Sequence, residues 1–174
     1  RVLRAVEPLA LPILIVGDPN TYGHLKYPVH PDRRPNLGPI GGLYTALTTA
    51  SGPIMLLGCD LPFLTPNFLR YILGRRNPAH HNAIVPHTAE GLQPLCALYE
   101  PTCLRPIEMA IDYDSLSMRG LLRKLNLDEI SMGRWRCYDE CGLLFCNLNT
   151  PEEFDRAQKA LQSTKKAPNC KARR

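Results

Sequence analysis

A single α/β domain built on a mostly parallel sheet is the fold this sequence predicts, on three observations. Short β-branched runs alternate with helical patterns along the chain, as βαβ units do. The strongest strands are apolar at every position, the pattern of strands covered on both faces. Turn chemistry rich in Gly, Pro and Asp follows each of them. With 174 residues, 44% of them hydrophobic, the chain is long enough for one full core.

In chain order, Val2, Leu3 and Val6 read as the end of a helix, and "ILIV" (13–16) as a buried strand closed by Gly17, Asp18 and Pro19. The stretch 21–39 is long and irregular, with "YPVHPD" its one candidate strand. Loops of that length are often functional. "GPIGGLYTALTTASG" predicts a helix over 41–50, with Leu43, Ala46 and Leu47 on one face and Gly52 as its stop. "PIMLLGCD" (53–60) is a strand that ends on a carboxylate. In "TPNFLRYILG", Thr65 is an N-cap, Pro66 occupies the first helical position, and Phe68, Leu69, Ile72 and Leu73 form the buried face. "NAIVPH" and "QPLCALYE" are expected as strands, "LRPIEMAI" and "SMRGLLRKL" as helices, and "CGLLFCNLNT" (141–150) as a last strand. After it, Thr150, Pro151 and Glu153 make a capping box for a helix striped by Phe154, Ala157 and Leu161. The domain is expected to span 1–162, followed by a basic disordered tail over 163–174.

The net charge of +5 comes from that tail. Lys165, Lys166, Lys171, Arg173 and Arg174 lie within it, and without them sixteen basic side chains balance sixteen acidic ones. A basic groove for nucleic acid is therefore not expected. No apolar run is long enough to span a membrane, and seven cysteines without regular spacing suit reduced thiols. A cytoplasmic protein with no nucleic-acid or membrane partner is the expectation.

In open α/β sheets, ligands bind beyond the carboxyl ends of strands. Four segments fall there: "GDPN", "PDRRPNLGPIGG", "CDLP" and "NLNT". Asp60 is a candidate Mg²⁺ ligand, because that cation takes carboxylate oxygens and shares its shell with phosphates; a turn residue is the competing reading. "GPIGG" opens a helix whose free N–H groups suit an anion, or serves a tight turn. Asn147 and Asn149 project to one side and either read a heterocycle's edge or cap a turn. Cys137, Cys141, Cys146, His80, His81 and His87 lack metal-site spacing. Cys59 has no partnered His and reads as a core thiol.

"GPIGGL", "LLGCDLPFLTPNFL", "QPLCALY" and "NLNTPEEF", in this order and spacing, resemble the molybdenum cofactor guanylyltransferase (MobA-type) family over about 13–162. The resemblance implies a three-layer α/β/α nucleotidyltransferase fold, of the nucleotide-diphospho-sugar transferase type. It implies transfer of GMP from GTP to the terminal phosphate of molybdopterin, with Mg²⁺ and release of pyrophosphate. By the same resemblance, Asp60 is the catalytic metal ligand, and Asn20, Asp32 and Asp60 contact the nucleotide. Asn147, Asn149 and Arg119 of "SMRG" lie toward the acceptor. Molybdenum-insertion proteins or molybdoenzyme chaperones are the implied protein partners. The family's first strand and glycine-rich loop of the type LAGGxSxRMGxDK have no match here. The chain is thus expected to be a fragment whose sheet lacks a central member. A cytidylyltransferase for the same cofactor and a non-catalytic remnant stay open as alternatives.

Overall fold

The computed structural model describes residues 2–146 of the chain. Its elements are α1 (Val2–Val6), β1 (Ile15–Val16), α2 (Pro19–Tyr22), β2 (Val29–His30), α3 (Pro39–Thr49), β3 (Ile54–Leu57), α4 (Pro66–Gly74), β4 (Ala83–Thr88), β5 (Gly91–Leu92), β6 (Cys96–Tyr99), α5 (Leu104–Asp112), α6 (Met118–Leu122), β7 (Leu127–Ile130) and α7 (Met132–Trp135). The capping box at 150–153 and the tail lie outside the described residues.

Side-chain alternation along the strands builds two apolar layers. Ile54 and Leu56, Ala83 and Val85, and Ala97 and Tyr99 pack with Ile40, Leu43 and Leu47 of α3, with α5 and with α6. The intervening Met55 and Leu57, Ile84, Cys96 and Leu98 pack on the other face with Phe68, Leu69 and Ile72 of α4, with Ala5 of α1 and with Trp135 of α7. The sheet therefore lies between two helical layers, as expected. Each fully buried Leu, Ile or Phe contributes about 1.5–3 kcal/mol, so these two faces carry the fold.

The pairing is more mixed than a mostly parallel sheet. β1 pairs β2 in parallel, and β4 pairs β7 in parallel. β6 runs antiparallel between β3 and β4, and β5 folds back antiparallel on the end of β4. Only two of the five pairings are parallel, although β3, β4 and β7 share one direction. The reversal has a local cause: after β4 the chain turns at Gly91, whose φ of 109° favours glycine, and returns directly as β6.

The sheet is also in two pieces, a two-stranded sheet β1–β2 and a five-stranded one with β3 at its edge. β4 and β6 are almost wholly buried, whereas every residue of β1 and β3 is only half-buried. A cleft of about 610 Å³ separates them, lined by 13–16 and 54–59, with Val2, Leu3 and Val6 of α1 on one face and Pro39, Gly42 and Ala46 of α3 on the other.

The last strand expected over 141–150 does not form within its described part. Asp139 Oδ1 accepts the N–H groups of Leu143 (2.9 Å) and Leu144 (3.1 Å), and Gly142 has φ 69°, so 141–146 turn instead of extending. Leu144 is buried, and Phe145 packs edge-on against Trp135 and Phe68. β7, which carries Asp128 and Glu129, was not expected as a strand. It is fixed by Arg75 at the end of α4, whose Nε and Nη2 donate to Asp128 Oδ2 (2.7 Å) and Oδ1 (2.6 Å).

Replacing Asp128 by Ala leaves the half-covered Arg75 guanidinium without its bidentate partner. The expected cost is about 1–2 kcal/mol in a urea titration, and Arg75→Ala on top of it should add little.

Candidate functional site

The site begins where β3 ends. Its ladder with β6 continues to Gly58, whose N–H donates to Leu95 O at 2.7 Å, and then the chain turns, with Leu61 N–H reaching back to Gly58 O at 3.4 Å. Leu61 and Leu64 are buried and anchor that turn in the α4 layer. Asp60 lies between the strand and these anchors and folds its carboxylate back over Gly58, so closely that a Cβ on Gly58 would overlap Oδ1. Among the described residues the Asp60 carboxylate has no hydrogen bond or ion pair. A half-buried carboxylate without a partner is unusual in a turn residue, whose oxygens ordinarily accept nearby N–H groups.

The mouth of the β1–β3 cleft brings further elements together. Gly58 and Cys59 line it from β3, Tyr22 from the end of α2, and Pro39 and Gly42 from the first turn of α3. Cys59 is exposed there, not the core thiol expected of a strand end. Tyr22 packs its ring over Gly17, where a Cβ would sit 2.8 Å from two ring carbons, and so holds α2 against the end of β1. Asp18 caps α2: Oδ1 accepts Asn20 N–H at 2.9 Å and Oδ2 accepts the Thr21 hydroxyl at 3.0 Å. Those two bonds, the backbone one first, hold the Asp18 carboxyl below the usual range. Asn20 is thereby fixed just beyond β1, with its side chain at the surface.

Asp32 is placed differently from a free nucleotide contact. Its Oδ1 accepts Thr45 Oγ1–H (2.8 Å) and Arg34 N–H (3.0 Å), and Thr45 Oγ1 in turn accepts Arg33 N–H (2.9 Å). Thr45 is fully buried. Gly41 closes the same knot, since a Cβ there would meet Arg34 O at 2.7 Å and Asp32 Oδ2 at 2.8 Å. Asp32 thus shapes the loop that leads into α3, and its Oδ2, against Gly41, makes no hydrogen bond among the described residues. The sequence signals for this were the glycines of "GPIGG"; Thr45 carried none, because it lies inside a helix. The loop also brings Arg33 and Arg34, which form no ion pair among the described residues, alongside α3, with the Arg34 guanidinium 5.8 Å from the Tyr44 ring centroid.

Arg119 is not at this mouth. It lies in the first turn of α6, and its Nη2 donates to Glu90 O (3.2 Å) at the β4–β5 turn. Nearby, Trp135 Nε1–H donates to His87 O (2.9 Å), and His87 Nδ1 lies 3.1 Å from Glu129. Asn147 and Asn149 lie outside the described residues.

No group of three or more His, Cys, Asp or Glu able to hold a metal occurs among the described residues. That excludes a cage of protein ligands there but suits Mg²⁺, which is bound through one or two carboxylates and completes its shell with water and phosphate oxygens. Asp60, an oxygen donor with nothing competing for it, fits such a cation.

The chain matches the MobA-like NTP transferase domain over residues 1–130. It is 32% identical over 127 residues to the molybdenum cofactor guanylyltransferase of Desulfosudis oleivorans, covering 72% of this chain and 62% of that protein. With the protein of the same name from Syntrophotalea carbinolica it shares 26% identity over 164 residues, covering 93% of this chain and 78% of that one. Among solved structures, it superposes with TM-score 0.78 on the molybdopterin-guanine dinucleotide biosynthesis protein A of Archaeoglobus fulgidus (22% identity, covering 93% of this chain and 85% of that one). An Aquifex aeolicus protein superposes with TM-score 0.73 (26% identity, 86% and 77%). The chain spans less than two thirds of the length of the Desulfosudis relative.

Thr45→Val keeps the helix and the shape but takes one of its two donors from Asp32 Oδ1 and orphans Arg33 N–H. The expected loss is about 1–3 kcal/mol, with faster amide exchange at Arg33 and Arg34. In the native protein, iodoacetamide should label Cys59 and Cys137. Cys96, whose thiol burial pushes far up, and Cys103, pushed up to about 12 chiefly by burial, should label only after unfolding.

Proposed function

This chain belongs to the MobA-like NTP transferase family, and from that premise we propose that it is a molybdenum cofactor guanylyltransferase, moving GMP from GTP to the terminal phosphate of Mo-molybdopterin with release of pyrophosphate. The names of its relatives support the substrates. The observation that carries the reading is the Asp60 carboxylate at the end of β3, without a partner among the described residues and folded over Gly58, which lines the cleft mouth.

In this reading the polyphosphate lies at the cleft mouth. The N-terminal end of α3, where Gly41 and Gly42 N–H already donate to Gly38 O, offers the positive end of its dipole to the anion. Arg33 and Arg34, without carboxylate partners among the described residues, add positive charge beside it. Asp60 holds Mg²⁺, which when bound offsets negative charge on the phosphates. Gly58 lets the carboxylate sit close to the strand end, and the Asp32–Thr45–Gly41 knot keeps the α3 loop in one shape. Such a site works by positioning reactants in line and neutralising charge. It needs no covalent nucleophile, and Cys59, with no His among its described partners, is not one. Asn20 lies beyond β1 on the base side. Arg119, tied to the β4–β5 turn, with Asn147 and Asn149, belongs to the acceptor side.

The test is transfer by the protein expressed from its complete reading frame, with GTP, Mg²⁺ and Mo-molybdopterin, read as pyrophosphate and guanylated product. Asp60→Ala is expected to lose activity about 100-fold or more with unchanged circular dichroism. Wild-type turnover in that variant would refute the role of Asp60, and faster transfer from CTP would refute the guanylyl assignment. Asn149→Ala should raise KM for the acceptor more than for GTP.

A further inference from the structure

The outward face of α5 carries an inference that stands apart from the transferase site, since none of its side chains lines the cleft. Ile107 and Ala110 are buried, and Leu104 and Ile111 pack beside them on the core shared with α3. At about 100° per residue, the opposite side of the helix is a stripe of Arg105, Met109 and Asp112, flanked by Glu108 and by Tyr113 at the helix end. All five are exposed. Met109 is 49% exposed and Tyr113 77%, the highest value of any large apolar side chain among the described residues. The turn after the helix fixes the backbone beneath that ring: Tyr113 N–H donates to Met109 O (3.1 Å), Asp114 N–H to Ile111 O (3.1 Å) and Ser115 N–H to Ala110 O (2.7 Å), with Asp114 at φ 51°.

The charges on this face are set against their own helix. A helix dipole favours acids in the first turn and bases in the last. α5 has no acid in its first turn and no base in its last; Arg105 stands near its start, and Asp112 and Asp114 at its end. The side chains of Arg105, Glu108, Asp112 and Asp114 form no hydrogen bond or ion pair among the described residues. A second copy of the same helix, laid antiparallel, compensates all of this. With the two-fold axis beside Met109, residues equidistant from Met109 face one another. Met109 then meets itself, and Arg105 lies between Asp112 and Tyr113 of the second copy, at the negative end of that helix. Its guanidinium gains a carboxylate and an aromatic face, and symmetry makes the contact twice. Glu108 falls on the wet rim near the axis. Exposed ion pairs add little affinity, so the apolar contact of Met109 and Tyr113 supplies it and the charges fix the direction. An anionic membrane surface is a poor alternative, because three acids oppose one base on this face.

We propose that α5 is a self-association surface, through which two copies of this chain pair antiparallel about a two-fold axis at Met109.

The test is sedimentation equilibrium of the whole protein from about 10 µM to about 1 mM, where the mass should rise from one chain toward two. Tyr113→Ser should weaken the dimer at least about tenfold. Arg105→Glu sets acid against acid and Asp112→Lys sets base against base, so each variant alone should sediment as a monomer with unchanged circular dichroism. Mixed together, the two variants should associate, because each carries the charge that the other lacks. The mass of one chain at every concentration of the unaltered protein would overturn the proposal. Association undiminished by Tyr113→Ser or by either charge reversal would place the contact elsewhere on the molecule and overturn it too, as would a mixture of the two folded charge variants that stays monomeric.

Discussion

The register of β3 against β6 is the constraint on which the rest of the structure depends. It fixes which side chains of β3 face α3 and which face α4, because a slip of one residue would exchange the two sets. It also fixes where the ladder stops. Gly58 makes the last bond to Leu95, the chain turns, and Leu61 and Leu64 enter the α4 layer, so Asp60 is held between a strand end and two buried leucines. The same register decides that Met55 and Leu57 present their main chain to the cleft. Site and cleft are thus two consequences of one pairing.

The three carboxylates near strand ends differ in what they do. Asp18 is spent on capping α2, and its oxygens are bonded. Asp32 is half spent, with Oδ1 bound to Thr45 and Arg34 and the loop to α3 shaped around it. Asp60 alone of the three keeps both oxygens free of partners among the described residues. Local hydrogen bonding, more than position at a strand end, separates a structural carboxylate from one available to a cation.

Much of this was legible in the sequence where local chemistry decides. Thr65 and Pro66 start α4 as read, with Thr65 Oγ1 accepting Phe68 N–H at 3.3 Å, and the apolar stripe of Phe68, Leu69 and Ile72 is buried as read. The strand leading to Asp60 and the helix after "GPIGG" are also where the pattern put them. What escaped depends on contacts distant in sequence. β7 carries two acids and becomes a strand because Arg75, across the fold, holds Asp128. The turn at 141–146 is set by Asp139, which a strand-like run of Leu and Phe hides. Thr45 looks like any helical threonine until Asp32 lies beside it. The direction of β6 could not be told from its composition, since a buried strand is apolar in either orientation.

The most direct measurement of the central claim, that Asp60 holds the nucleotide's cation at the end of β3, is paramagnetic broadening by Mn²⁺ in place of Mg²⁺. With GTP and Mn²⁺ added to the labelled protein, the amides of Gly58 to Leu61 should broaden first, and in Asp60→Asn that broadening should vanish while the spectrum stays folded. Broadening centred instead on His87 and Glu129, or undiminished in Asp60→Asn, would contradict the account.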